Sequence, residues 1–79
     1  MVTNKDISKQ YSIFSSNIKY YRKQLHYTQE ILAEKTDLSI SYIKQIESRA
    51  EYTNVTFTTL SKLAMALNVT IKDLFIERK

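Results

Sequence analysis

Ser41, Lys44, Gln45 and Ser48 carry hydroxyl, ammonium and amide groups at helical spacing. At roughly 100° per residue they fall on one side of a helix whose opposite side holds Ile43, with Ile46 and Glu47 within about 60° of it. Short hydrogen-bonding groups on one helix face suit the DNA major groove, where amides and hydroxyls meet base edges. An ordinary solvated helix face has the same composition. Other chemistry is poorly served. With one His, no Cys and no Gly, the chain has no thiolate or glycine-rich phosphate loop. No paired carboxylates mark a cleft, so an enzyme, a cofactor and a metal site are not expected.

The polar face needs elements to hold it. Thr28 to Glu47 reads as two short helices meeting at a tight corner, with Leu32, Ala33, Leu38, Ile43 and Ile46 apolar. Ala33 is the smallest, where crossing helices approach closely. Helix two spans about Gln29 to Thr36 behind Thr28 as N-cap, and helix three runs to Ser48 behind Ser39, the corner falling at Asp37. Helix one covers about Ser12 to Leu25, with Phe14, Ile18, Tyr21 and Leu25 inward and Lys19, Lys23 and Gln24 outward. The same 4, 3 spacing reaches back to Tyr11 and Ile7, so residues 1–11 are either the start of this helix or a frayed extension before a domain at 12–79. Helix four has the stripe Phe57, Leu60, Leu63, Ala64 and Leu67, and a fifth helix opens at Thr70 with Asp73 completing a capping box. Val69, Ile71, Leu74, Phe75 and Ile76 exceed what so short a helix buries alone and predict a dimer surface.

Seventy-nine residues allow one domain with a small core. The absence of glycine and proline predicts continuous helices with short connections, hence an all-α fold. No run approaches the roughly 18 apolar residues of a membrane span, and the N-terminus lacks a signal-peptide core, so a cytoplasmic location is expected. The net charge is +4, with a pI near 9.4, which permits phosphate binding without requiring it. Residues 1–27 carry five basic residues and one acidic, whereas 28–49 carry three basic and four acidic. Basic charge thus flanks the polar helix, as expected if flanking groups hold phosphates and the helix reads bases.

Taken together, Arg22-Lys23, the TQE and Ala33 of helix two, Ser39 to Glu47, and the Leu60 to Phe75 segment resemble the phage-repressor and Cro-type (XRE) helix-turn-helix family, including restriction-modification controller proteins. The resemblance covers about Phe14 to Phe75 and implies a compact five-helix bundle of the lambda-repressor-like type. It further implies a homodimer binding double-stranded DNA at a two-fold symmetric operator. By resemblance, Ile40, Ser41, Lys44 and Gln45 contact bases. Ile40 would pack on a thymine methyl, Lys44 suits guanine and Gln45 adenine. Arg22, Lys23, Thr28, Gln29, Ser39, Tyr42, Arg49, Thr53, Asn54 and Thr56 lie near phosphate, and Arg22 pairs with Glu47. The chain departs from the family pattern at His26, Asp37 and Asn68, which stand where glycine is usual, and in a loop after Glu47 about two residues longer. All three residue types tolerate positive φ. A protein-interaction module, such as an antitoxin or repressor antagonist, is the alternative, favoured by the lone apolar Ile31 and the apolar C-terminus.

Overall fold

The computed structural model describes residues 1–48 and 53–78. Its first helix, α1, spans Asn4–Gln24 and opens on a capping box: the Asp6 amide donates to the Thr3 hydroxyl at 3.2 Å, and the Thr3 amide donates to the Asp6 carboxylate at 3.0 Å. The helix therefore begins well before Ser12. Of the two alternatives for the N-terminal residues, the chain adopts the helix.

Then follow α2 (Gln29–Thr36), α3 (Ile40–Ser48) and α4 (Phe57–Ala66), with no strand among the described residues. The expected fifth α-helix is instead a short 3-10 helix, Lys72–Phe75. Thr70 and Asp73 do form reciprocal caps, at 2.9 and 3.1 Å. The turn closes by i to i+3 bonds, Leu74 to Ile71 at 3.0 Å and Ile76 to Asp73 at 3.4 Å, and ends before an α pattern is established.

Three helices end in the same way. After α1, α2 and α4, residues His26, Asp37 and Asn68 adopt φ of 59°, 57° and 60°. Each is followed by a residue whose amide reaches back five positions: Tyr27 to Arg22, Leu38 to Ala33 and Val69 to Ala64, at 3.0 to 3.1 Å. These are Schellman closures, and Tyr27, Leu38 and Val69 supply the apolar residue that packs beneath each.

Phe14 and Ile18 of α1, Leu32 and Ala33 of α2, Ile43 and Ile46 of α3, Leu63, Ala64 and Leu67 of the α4 region and Leu74 form one core. Two expectations are corrected here. Phe57 is 73% exposed, because α4 turns its Thr59, Leu63, Leu67 face inward and Phe57 lies about 200° around the helix from Thr59. Leu74 is fully buried within its own domain and cannot belong to a dimer surface. What draws it in is Asn17, itself buried, whose amide donates to the carbonyls of Leu74 and Ile76 at 2.9 Å each and of Asp73 at 3.4 Å. Phe75 then stacks on Phe14 with ring centroids 5.4 Å apart.

Candidate nucleic-acid interface

The polar face of α3 is set by what lies behind it. Ser39 caps the helix, its hydroxyl accepting from the Tyr42 amide at 3.1 Å, and Ile43 and Ile46 are fully buried. Ser41, Lys44, Gln45 and Ser48 are therefore exposed together, while Ile40 is half-buried and packs partly against the core. The Ile40 side chain has correspondingly less surface to offer a base.

Arg22 and Glu47 fix the rotation of α3 against α1. The guanidinium donates Nε to Oε2 at 2.8 Å and Nη2 to Oε1 at 2.9 Å, a parallel bidentate pair. Its remaining nitrogen, Nη1, donates to the Tyr27 carbonyl at 2.8 Å, and Gln29 Nε2 donates to Glu47 Oε1 at 3.2 Å. One carboxylate thus joins α1, α3 and the start of α2. Arg22 is largely covered, whereas Lys23 beside it is exposed. A second link comes from the outer side of α3, where the Tyr42 hydroxyl donates to the Asn54 carbonyl at 3.0 Å, next to the segment that enters α4.

These bonds bring the N-terminus of α2, the length of α3 and the approach to α4 into one neighbourhood. At Thr28 and Ser39 the hydroxyl oxygens accept from first-turn amides, leaving their protons available to a phosphate. Exposed helix N-termini add a favourable dipole for an anion. Tyr42 and Thr56 are different: the Tyr42 proton goes to Asn54, and the Thr56 hydroxyl, which caps α4, donates to Thr59 at 3.2 Å. Either would have to exchange an internal partner for a phosphate. Thr53 is half-buried and Asn54 exposed, while Arg49 lies outside the described residues.

The residues assigned to a dimer surface do not form one uniform patch. Val69 and Ile71 are half-buried against the core, and Phe75 and Ile76 are 38% and 47% exposed. Among the described residues no group of His, Cys, Asp or Glu could hold a metal, and no helix is long and apolar enough to cross a membrane.

Asn17, Ser15 and the Tyr11 hydroxyl are structural participants that pattern reading missed. Ser15 is fully buried and donates to the Ile46 carbonyl at 2.6 Å, and Tyr11 donates to the same oxygen at 3.1 Å. A signal was present. Ser15 and Asn17 interrupt the apolar side of α1 between Tyr11 and Tyr21, and a polar residue on a buried stripe needs a partner.

A helix-turn-helix family profile matches residues 18–74. The chain is 39% identical over 62 residues to the control protein C.SmaI of Serratia marcescens, covering 78% of this chain and 71% of that protein. Its fold is similar to that of the restriction-modification controller protein C.AhdI from Aeromonas hydrophila, with a TM-score of 0.76 and 28% identity across 85% of this chain and 98% of that one. A hypothetical transcription factor from Neisseria, NHTF, has a TM-score of 0.79 at 24% identity, covering 86% of this chain and 76% of that chain, a likeness of fold alone.

Proposed function

Because the chain belongs to the helix-turn-helix family, whose profile spans most of its length, we propose that it is a sequence-specific DNA-binding transcriptional regulator. The observation that carries this reading is the Arg22, Glu47 and Gln29 network, which holds α3 with Ser41, Lys44 and Gln45 outward. In this reading Ser41, Lys44 and Gln45, with the exposed part of Ile40, meet base edges. Lys23, Thr28, Ser39, Thr53 and Asn54 flank them toward phosphate, joined by Arg22, Gln29, Tyr42 and Thr56 where a phosphate displaces an internal partner. Arg49 belongs to the same set from its place in the sequence.

The protein acts in the cytoplasm as a homodimer on a two-fold symmetric operator, with two copies of α3 entering major grooves about 34 to 36 Å apart. Val69, Ile71, Phe75 and Ile76 supply the dimer contact. Similarity to C.SmaI and C.AhdI supports a controller role in a restriction-modification system. The test is protection of the DNA upstream of the chain's own gene at two salt concentrations, beside a Lys44→Ala, Gln45→Ala double variant. Protection of a symmetric site, weakened by salt through counterion release and lost in the variant, is the expected result. Weak binding shared by the variant would overturn base reading by α3 at that site and direct attention to a protein partner.

A further inference from the structure

Among the described residues α3 spans Ile40–Ser48. Ser48 returns its own hydroxyl to the Gln45 carbonyl at 3.0 Å. The Ile46 carbonyl is met from another helix altogether. Ser15 and Tyr11, one turn apart on α1, both donate to it, at 2.6 and 3.1 Å. Thr53 lies beside the Tyr11 hydroxyl and favours its ionised form. Tyr11 therefore touches α1, the C-terminal end of α3 and the segment that enters α4, while Tyr42 joins the first turn of α3 to the same segment at Asn54.

We propose that Tyr11 and Ser15 are positioning residues for DNA recognition: a two-donor clamp on the Ile46 carbonyl that sets the pitch of α3 relative to the segment at Thr53 and Asn54. The inference rests on the DNA-binding reading above. Arg22 holds α3 through the Glu47 side chain, and Tyr42 ties its first turn to Asn54. The clamp adds a point on the backbone of the residue beside Glu47, from a site on α1 two turns before Arg22. A backbone tie at this end of α3 limits the tilt that a side-chain pair alone would permit. Base-edge contacts depend on placement to a fraction of an ångström, whereas attraction to phosphates varies slowly with position. Loss of the clamp thus weakens sequence-specific binding far more than non-specific binding, which a loss of folded protein would not do.

The test uses the full chain, a duplex that the wild-type protein selects from a randomised pool, and a random-sequence duplex of equal length. Tyr11→Phe keeps the ring that packs at 5.7 Å from Phe14 and removes only the hydroxyl, and Ser15→Ala removes the other donor. Binding is measured at a temperature where circular dichroism shows each variant fully folded. The expected result is a roughly five- to tenfold loss of affinity for the selected duplex in each variant, in the range of one hydrogen bond, with random-duplex affinity unchanged. Equal losses on both duplexes, or wild-type affinity on both, overturn the clamp while leaving the DNA reading intact. A pool that yields no enriched duplex overturns the DNA reading itself, and the clamp falls with it.

Discussion

Arg22 and Glu47 face each other through two parallel hydrogen bonds, with side chains only 10% and 3% exposed. A covered pair of this kind orients its helices, but desolvation offsets much of its attraction. Replacing one partner leaves a buried charge without its counterion. Glu47→Leu and Arg22→Met should each lower unfolding stability by about 3 to 5 kcal/mol, and the double replacement by clearly less than the worse single one. Urea unfolding of the four proteins measures this. An additive double variant would show that the pair is not coupled.

His26 and Asn68 sit at φ of 59° and 60°, where a Cβ is crowded and glycine is not. His26→Gly and Asn68→Gly should each stabilise the fold by a few tenths to about 1 kcal/mol, visible as a higher melting temperature. His26 should gain more, since asparagine is at home in this conformation. Lower melting temperatures in both would contradict the account.

Asn17 satisfies three carbonyls at once, and nothing else described reaches those of Leu74 and Ile76. Asn17→Ala should destabilise by about 2 to 3 kcal/mol, because buried acceptors lose their donor. Its amide chemical-shift changes should concentrate at residues 73–76. Changes spread evenly over the domain would argue against so local a role.

Asp6 and Asp73 are capping residues whose carboxyls are held below the ordinary value of 3.8, first by backbone hydrogen bonds from Thr3 and Thr70, then by the hydroxyls of those residues. Such a carboxyl stabilises the fold when ionised, so its contribution is present above the unfolded value and is lost as pH falls through the folded one. Asp6→Ala and Asp73→Ala should lower the urea midpoint at pH 7, and the deficit should shrink as pH falls below the ordinary value of 3.8. A deficit constant across that range would rule out ionisation as the cause.

Burial pushes the Tyr11 hydroxyl above its ordinary value of 10.0, against a smaller opposing effect of Thr53. Its stabilisation is present below that value and disappears as pH rises through the folded one. Ultraviolet titration should find a late-ionising tyrosine that Tyr11→Phe removes. An unchanged titration curve, apart from the loss of one ordinary phenol, would contradict this.

Much of the arrangement was legible in residue types. The caps at Thr28 and Ser39, the corners at His26, Asp37 and Asn68 and the inward Ile43 and Ile46 follow from local rules, because each depends on neighbours within a turn. Leu74 and Phe57 were misplaced because periodicity reports that a side is apolar, not which other element arrives to cover it. Asn17, 57 positions from the Leu74 carbonyl it binds, decides the first case. For Phe57 it is the turn of α4 about its own axis. Tyr11 and Ser15 have the same character: their partner is a backbone oxygen, and a carbonyl leaves no mark in the residue code.

The long reach of α1 has a consequence for how the molecule opens. Tyr11 and Ser15 hold Ile46, Asn17 holds the chain at 73–76, Arg22 holds Glu47, and Arg78 lies 3.1 Å over the ring of Tyr20. Polar ties to the end of α3 and to the C-terminal residues thus gather on a single 21-residue rod. Detaching α3 or the C-terminal turn strips buried partners from that rod, so neither leaves alone at low cost. In native-state hydrogen exchange the amides of mid-α1, α3 and Leu74 should behave as one cooperative unit, exchanging at a common free energy close to that of global unfolding.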